Sequence, residues 1–233
     1  MRLKRTLVLL TFNEIEALPK IFDRIPLSSA DEAFAVDGGS ADGTVEFLKS
    51  KGVRVLGQPR RGRGCAFQVA LEAAAGDVLC FYSPDGNEDP DDVPRLFEKL
   101  EQGGYDLVVA SRMCRGAHNE EDEKKIRLRK WVNLAFTFLA NALWNRGPYL
   151  TDTINGLRAV RADSFRRCAC RVDGFVIEYL MTMRMMKLGL RLGEIPTYEH
   201  PRLGGSSTAH SWPTGVEFTR HLVAEALLGR RVE

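Results

Sequence analysis

The chain has 233 residues, of which 44% are hydrophobic and 27% are charged, and its formal net charge is +2. This size suits one large α/β domain or a core domain with an appended arm, and the charge is too balanced to indicate a nucleic-acid binder by itself. The five cysteines are odd in number and scattered, which is typical of reduced intracellular thiols and not of a disulfide framework.

The first 112 residues alternate between apolar runs and amphipathic segments. Strands are predicted at 6–12, 32–37, 53–58, 77–83 and 106–112. Helices are predicted at about 14–24 and at 43–52, 64–76 and 89–104, with Gly76 as a helix stop. Apolar strands separated by helices indicate a mostly parallel sheet that is covered on both faces.

The pattern changes after residue 112. Residues 113–130 are polar and heavily charged, which favours a solvated loop. A helix predicted at 131–144 has a broad apolar face that favours burial in the core. The members of that face are Trp131, Leu134, Phe138 and Ala142. Basic residues just before the helix leave a membrane-surface role open.

The last part of the chain supplies a short strand, a methionine-rich helix, a strand near 191–200 and a terminal helix at 213–229. The methionines at 181, 183, 185 and 186 are predicted to pack in the core and not to line a cofactor site. No stretch approaches the roughly 20 apolar residues of a membrane span, and the N-terminal apolar run is short for a signal peptide. The protein is therefore expected in the cytoplasm.

Polar or glycine-rich sequence follows four of the predicted strands, at residues 11–14, 37–44, 59–64 and 83–89. In open α/β sheets, ligands bind beyond the carboxyl ends of the strands. We therefore expect these four segments to converge on one crevice. Arg60, Arg61 and Arg63 stand beside a predicted helix start, where their charge and the free N–H groups would suit a phosphate.

Six motifs occur in order along the chain: LTFNE, VDGGSADGT, RGRGCA, SPDGNEDP, TDTINGLRAVR and EIPTYEHPRLGGSS. From about residue 6 to 207, this set resembles the family 2 glycosyltransferases, specifically the branch of dolichyl-phosphate mannose or glucose synthases and their bacterial and archaeal relatives. The resemblance implies an α/β fold of the GT-A type, a Rossmann-like nucleotide-sugar half merged with an acceptor half. Residues 1–233 would then form a single GT-A domain, divided into a nucleotide-sugar-binding half (1–112), an acceptor half (113–207) and a C-terminal helical tail (208–233).

The resemblance also implies roles around the nucleotide of the donor. The base and ribose pocket would be lined by Thr11, Asn13 and Glu14. Asp37 would hydrogen-bond the edge of the base, and Ser40 and Asp42 would shape that loop. Further contacts with the donor are expected from Arg61, Gly64 and Pro84.

Asp85 would be the last acid of a DxD-type motif that holds Mg²⁺ or Mn²⁺ against the donor diphosphate. Where the family usually has the first acid, this chain has Ser83, and Asn87 stands at the third position. One carboxylate, one amide oxygen and the diphosphate oxygens still give a hard divalent ion an all-oxygen shell. The resemblance therefore implies a metal site of reduced affinity, with Asp85 and Asn87 as ligands.

In the second half, the resemblance places Asp152 near the reacting sugar or the acceptor and Arg158 opposite a phosphate. Arg202 and Ser206 would contact the donor diphosphate from a glycine-containing loop with a hinge-like backbone. Glu178 fits two descriptions equally well, an acceptor-side group or a glutamate on a helix surface.

The implied reaction moves a hexose from a UDP- or GDP-sugar, by direct displacement with inversion, onto a polyprenyl phosphate at the cytoplasmic face of a membrane. Peripheral membrane contact is expected, and no nucleic-acid partner. A phosphate acceptor is already anionic and needs no general base, whereas for a hydroxyl acceptor Asp152 is the first base candidate. Two alternatives stay open: transfer to a soluble hydroxyl acceptor, and a nucleotide-sugar-binding protein with little turnover, which Ser83 would explain.

Overall fold

Seven strands and eight α-helices alternate along the part of the chain that the computed structural model describes, residues 2–123, 127–204 and 211–232. The strands are β1 (Arg5–Thr11), β2 (Glu32–Asp37), β3 (Arg54–Gly57), β4 (Val78–Tyr82), β5 (Leu107–Ser111), β6 (Arg158–Arg161) and β7 (Leu192–Pro196). The helices are α1 (Leu18–Ile21), α2 (Thr44–Ser50), α3 (Arg63–Ala73), α4 (Asp92–Gly103), α5 (Leu128–Trp144), α6 (Ala162–Arg167), α7 (Ile177–Lys187) and α8 (Ser211–Leu227). The alternation of strands and helices predicted from the sequence is confirmed.

All seven strands form one sheet in the order β3-β2-β1-β4-β6-β5-β7. Neighbouring strands run parallel, except that β6 is antiparallel to both β4 and β5. The prediction of a mostly parallel sheet is therefore correct, and β6 is the exception. Because β5 lies between β6 and β7, one continuous sheet joins the sequence before residue 112 to the sequence after it.

The sheet is buried on both faces, and β4 shows how one strand serves both. Leu79 and Phe81 belong to a core cluster shared with α3 and α7, whereas Val78, Cys80 and Tyr82 belong to a second cluster shared with α4. Every residue of β4 is 0% exposed. A strand covered on both faces has to be apolar along its whole length, which explains the unbroken run VLCFY.

Gly76 has a different role from the predicted helix stop. Helix α3 already ends at Ala73, and the chain is extended at Ala74. A Cβ atom at residue 76 would lie only 2.3 Å from Thr6 Oγ1. Glycine is needed here because the chain passes close to β1.

The methionine-rich helix α7 is fully inside the molecule. Met181, Met183, Met185 and Met186 are at most 2% exposed and belong to one core cluster. The prediction that these side chains serve packing is confirmed. Their flexible, unbranched shape suits a helix that contacts the core on several sides.

Helix α5 was expected to bury its large apolar side chains, and this expectation was wrong. Trp131 is 67% exposed and Phe138 is 60% exposed. The side of the helix that faces the protein carries Thr137 and Asn141, whose polar groups bond Thr153 Oγ1 and the carbonyl of Leu150. Together with Ala140 and Trp144, these two residues make up the buried side of the helix, and the larger apolar row faces outward. In the described part of the chain, no helix has the length and apolar character needed to cross a bilayer.

Candidate functional site

A cavity of about 970 Å³ opens at the carboxyl edge of the sheet. Its lining includes a residue at the end of each of four neighbouring strands, namely Thr11 of β1, Gly38 after β2, Gln58 after β3 and Ser83 after β4. The sequence predicts that these four strand ends share one crevice, and the structure brings them together.

The predicted site residues fall into two groups. Those that line the cavity are Thr11, Asn13, Glu14, Asp42, Arg61, Asp85 and Arg202. Those that are described but lie outside the lining are Asp37, Ser40, Gly64, Pro84, Asn87, Asp152 and Arg158. Ser206 falls outside the described residues.

Asp37 lies directly behind the cavity wall and shapes the loop after β2. Its carboxylate accepts hydrogen bonds from Thr11 Oγ1 at 3.0 Å, from the Gly39 and Ser40 amides at 2.8 Å each, and from Ser40 Oγ at 2.6 Å. These four donors occupy the acceptor capacity of the carboxylate. The expected hydrogen bond from Asp37 to the base edge is therefore corrected: Asp37 folds the loop.

Ser40 and Asp42 shape the same loop, as expected for them. Ser40 Oγ accepts the Asn13 amide at 2.8 Å, and the Asp42 carboxylate accepts the Thr44 amide at 3.0 Å and the Ile15 amide at 3.1 Å. Burial opposes ionisation of Asp42, but the hydrogen bonds from Thr44 and Ile15 outweigh it and lower the pKa of the carboxyl. The loops after β1 and β2 thus hold one another in place.

Glu14 behaves differently from Asp42 in the same wall of the cavity. Burial raises its pKa to about 8, the Asp85 carboxylate adds to the rise, and Arg202 opposes it. At pH 7 the Glu14 side chain is therefore a neutral carboxylic acid that can donate a hydrogen bond to a ligand.

Asp85 carries the buried carboxylate that the metal hypothesis requires, and it already has a cationic partner. Arg202 Nη1 lies 2.7 Å from Asp85 Oδ2, and the backbone amide of Asn87 donates to Asp85 Oδ1 at 2.9 Å. The segment 200–203, which we call the strap, crosses this turn: the Leu203 amide donates to the Asp85 carbonyl at 3.0 Å and the His200 amide to the Asn87 carbonyl at 2.9 Å. The strap therefore places Arg202 beside the Asp85 carboxylate.

The residues around Asp85 fit a divalent ion only in part. The side-chain nitrogen of Asn87 donates to the His200 carbonyl at 2.6 Å, so its amide group also holds the strap. Within the described residues there is no group of three or more His, Cys, Asp or Glu side chains that could hold a metal. A divalent cation needs about six oxygen ligands, so at Asp85 most of them have to come from a bound ligand such as a diphosphate.

Sequence reasoning grouped Arg63 with Arg60 and Arg61 as suited to a phosphate but did not single it out as a site residue. Arg63 and Ser83 both line the cavity, and Arg63 Nη1 donates to Ser83 Oγ at 3.1 Å. Arg63 also pairs with Glu178, which is 3% exposed and is therefore not a helix-surface glutamate. The one signal available in the sequence is the run of arginines before α3, which does not show which of them turns into the cavity.

At the N-terminus of α3, the backbone amide of Gly64 is already hydrogen-bonded within the protein and is not free for a phosphate. The Gly64 amide donates to the Asp173 carbonyl at 2.8 Å, and a Cβ atom on Gly64 would lie 2.1 Å from the Val172 carbonyl oxygen. Gly64 is therefore needed for packing and does not contact the cavity. Arg61 reaches the cavity through its side chain, with its guanidinium 5.5 Å from the centre of the Phe12 ring.

Asp152 is not a poised base, and its expected place beside the reacting groups is corrected. It is 1% exposed, and its Oδ2 accepts Arg112 Nε at 2.8 Å. The Ile154 and Asn155 amides donate to its Oδ1 at 3.1 and 3.0 Å. Burial opposes the charge, yet Arg112 keeps the pKa of the carboxyl below its ordinary value.

Arg158 is likewise removed from the cavity, so its expected contact with a phosphate is corrected. It is 0% exposed, and its guanidinium donates to the Asn155 carbonyl, to the Glu178 carbonyl at 2.9 Å and to Thr182 Oγ1 at 3.0 Å. Burial lowers the pKa of Arg158 to about 10. Pro84 is also buried, in the same turn as Asp85.

Comparisons with known proteins agree with this geometry. The sequence profile described as "Glycosyl transferase family 2" matches residues 6–168. An undecaprenyl-phosphate mannosyltransferase from Micrococcus luteus is 32% identical over 217 residues, which are 84% of this chain and 84% of that protein. The glycosyltransferase AglJ from Haloferax volcanii is 31% identical over 206 residues, or 85% of this chain, and the chain spans only 63% of AglJ.

The same fold occurs in glucosyl-3-phosphoglycerate synthase from Mycobacterium tuberculosis. A crystal structure of that protein with Mn²⁺, UDP-glucose and phosphoglyceric acid superimposes with a TM-score of 0.74. The match covers 99% of this chain and 81% of that one, at 23% sequence identity. At this level of identity the likeness concerns the fold.

Proposed function

This chain belongs to glycosyl transferase family 2, and from that membership we propose that it transfers a hexose from a UDP- or GDP-sugar to a polyprenyl phosphate, with inversion. Its α/β sheet and flanking helices have the GT-A fold that the sequence predicts. The observation that carries the proposal is the cavity at the ends of β1 to β4, where residues that follow the four strands and three arginines line one space.

The donor diphosphate would bind among three arginines that line this cavity, Arg61, Arg63 and Arg202. Guanidinium groups bind phosphate oxygens with charge-assisted hydrogen bonds, and they stabilise the negative charge that develops on a leaving diphosphate. Thr11, Asn13 and Glu14 line the same cavity and would hold the nucleoside.

We assign Mg²⁺ or Mn²⁺ to Asp85 in the donor complex, with the side-chain oxygen of Asn87 as a second protein ligand. When bound there, the ion would neutralise part of the charge on the diphosphate. Asp85 and Arg202 form an ion pair at 2.7 Å, so Arg202 has to turn from Asp85 to the diphosphate as the donor and the ion enter. The Mn²⁺ in the mycobacterial structure is consistent with this assignment.

A phosphate acceptor fits the protonation states of the site. Asp152, the base candidate for a hydroxyl acceptor, is buried and locked by Arg112. Glu14 is protonated at pH 7, since its pKa is raised to about 8 by burial and by Asp85. An acceptor phosphate carries its own negative oxygen and needs neither group as a base.

The outward apolar row of α5 supports a lipid-linked acceptor. We define this α5 row as Leu128, Trp131, Val132, Phe138, Leu139 and Leu143, all of which are exposed. The helix contains no acidic residue, and Arg129, Lys130 and Arg146 lie at its two ends. An apolar row between basic residues suits peripheral contact with an anionic membrane surface, where a polyprenyl phosphate would be held.

The test is a panel of radiolabelled nucleotide sugars with Mn²⁺ and added polyprenyl phosphate. We expect one donor to give a chloroform-extractable product, and Asp85→Ala to abolish it. Asp163→Ala, at an aspartate whose side chain is 93% exposed and does not line the cavity, is the matched control and should keep full activity.

The other outcomes identify the alternatives. Label that stays in the aqueous phase with a soluble acceptor would contradict the lipid acceptor and favour a soluble hydroxyl acceptor. Donor binding with no transfer to any acceptor would indicate a nucleotide-sugar-binding protein with little turnover.

A further inference from the structure

Arg63, the first residue of α3, presents a cation to the cavity beside Ser83. Its Nη1 donates to Ser83 Oγ at 3.1 Å, and both residues line the cavity. The Arg63 side chain is 19% exposed, so the guanidinium is largely withdrawn from bulk water while it remains open to the cavity. In such a setting a positive charge attracts an anion more strongly than on an open surface.

The surroundings of Arg63 fix this orientation. Its Nε donates to the buried carboxylate of Glu178 on α7. Gly156 provides the space, because a Cβ atom there would lie 2.0 Å from Arg63 Nη2 and 3.3 Å from Glu88 Oε1. Three separate segments of the chain thus surround one guanidinium, which distinguishes Arg63 from a mobile surface arginine.

Ser83 determines what Arg63 can do. A carboxylate at residue 83 would pair with Arg63 and repel a diphosphate, whereas the serine hydroxyl does neither. A guanidinium has five N–H donors, and the hydrogen bonds to Glu178 and Ser83 use two of them. Donors therefore remain for phosphate oxygens.

We infer that Arg63 binds the donor diphosphate directly and gives this cavity an affinity for nucleoside diphosphates that does not require a metal ion. This inference rests on the proposed nucleotide-sugar site and adds to it a residue that compensates for the missing acid at position 83. Arg63 pairs with Glu178, which does not line the cavity, whereas Arg202 pairs with Asp85, which does.

Calorimetric titration of UDP and GDP into metal-stripped protein in EDTA tests the inference. The wild type should bind at least one of them, and Arg63→Gln should weaken that binding by about tenfold or more, because a charge-assisted contact is lost. Arg60→Gln is the matched control, since Arg60 pairs with Asp173 on the exposed side of the same segment and does not line the cavity. Uridine and guanosine lack the diphosphate and should bind wild type and Arg63→Gln equally.

Two further variants keep the test decisive if Arg63→Gln folds poorly. Ser83→Asp places a carboxylate next to Nη1, so it should lower metal-free affinity while the gain in affinity on adding Mn²⁺ becomes larger. Arg63→Lys keeps the charge without the planar fork and should give an intermediate affinity. Thermal denaturation of each variant shows whether the fold is intact.

The outcomes separate this inference from the proposed function. Equal metal-free affinity of wild type and Arg63→Gln, or wild-type binding only in the presence of Mn²⁺, would overturn the inference and leave the donor site standing. Failure of the wild type to bind any nucleotide or nucleotide sugar, even with Mn²⁺, would overturn the proposed function itself.

Discussion

Burial separates the arginines of this chain into different roles. Arg63 keeps part of its guanidinium open to the cavity, and Arg202 pairs with Asp85 at the strap. Arg158, in contrast, is completely enclosed and satisfies carbonyl groups of the loop 153–155 and of α7. A buried cation with this many neutral acceptors holds segments together, so its loss should affect stability before it affects binding.

Arg158→Ala is expected to lower the free energy of unfolding by at least about 3 kcal/mol, because buried carbonyls lose their donor and a cavity remains. Urea unfolding followed by circular dichroism measures this change. The folded variant should bind UDP or GDP as the wild type does. Arg166→Ala, at an exposed arginine that pairs with Asp163, should change stability little. If Arg158→Ala kept full stability but lost nucleotide affinity, the result would show that Arg158 contacts the ligand after all.

Glu14 should make stability depend on pH in an unusual direction. Its pKa is raised from 4.5 to about 8 by burial and by Asp85, so the folded state holds the proton more tightly than the unfolded chain. The stabilising contribution of Glu14 to the folded state is therefore complete below about pH 4.5 and is lost as the pH rises towards 8.

Glu14→Gln removes that loss. In EDTA, the free energy of unfolding of the variant should rise by about 1 kcal/mol relative to the wild type between pH 5 and pH 8.5, or about 3 °C in Tm. The expected gain is modest because Glu14 is only partly buried. Glu88, whose pKa burial also raises to about 8, is present in both proteins and cancels in the difference. A constant difference in Tm across this range would show that Glu14 titrates normally.

The residues that follow strands could be predicted from the sequence, and the residues that depend on distant neighbours could not. Thr11 is the last residue of β1 and Asp85 comes three residues after the end of β4, so strand recognition alone places them at the carboxyl edge of the sheet. The role of Arg63 depends on Ser83, Gly156 and Glu178, which come from three other parts of the chain. No local sequence pattern predicts that these residues come together in the fold.

At the scale of elements, the strands buried on both faces were the easiest to predict. The predicted strand at 32–37 agrees with β2, because its apolar run is bounded by polar turns. The four-residue strand β6 has the sequence RAVR, which shows no strand period, and its antiparallel pairing with β4 and β5 is non-local. For α5, periodicity identified the helix but not its buried side, where Thr137 and Asn141 bond residues 150–153 next to Ala140 and Trp144.

The α5 row should bind membranes without supporting the fold. The double variant Trp131→Ser, Phe138→Ser should reduce binding to anionic vesicles by roughly tenfold or more, since each large apolar side chain is worth about 1.5–3 kcal/mol when buried. Its Tm should remain close to that of the wild type, because both side chains are mostly exposed. Vesicle co-sedimentation and thermal denaturation measure the two effects.

The control for the α5 row is Tyr198→Ser, which removes an exposed aromatic residue outside α5 and should leave vesicle binding unchanged. Unchanged vesicle binding by the double variant would contradict the membrane role. If instead the wild type is a dimer in solution and the double variant a monomer, the α5 row is the contact between two copies of the chain.

At the scale of the whole molecule, α8 closes the structure over α5 and α7. Phe218 stacks on Tyr179 with ring centres 5.4 Å apart, and Trp144 Nε1 donates to the Gly229 carbonyl at 3.2 Å. On the inner side of α8, the Glu225 carboxylate pairs with two cations of α7, Arg184 at 2.8 Å and Lys187. These three charged groups are buried, so the terminal helix is held by an ion cluster shielded from solvent.

Removing the anion from this cluster tests whether α8 is part of the cooperative fold. Glu225→Gln leaves two buried cations without a counter-charge, which should cost about 3 kcal/mol and lower Tm by about 10 °C. Glu217→Gln, on the same helix and outside the cluster, should have a much smaller effect. Nucleotide affinity of the folded variant should persist, because none of the three charged residues lines the cavity. An unfolding curve identical to that of the wild type would mean that α8 rests on the protein without contributing to its stability, and that apolar contacts such as the Phe218–Tyr179 stack are not coupled to the cluster.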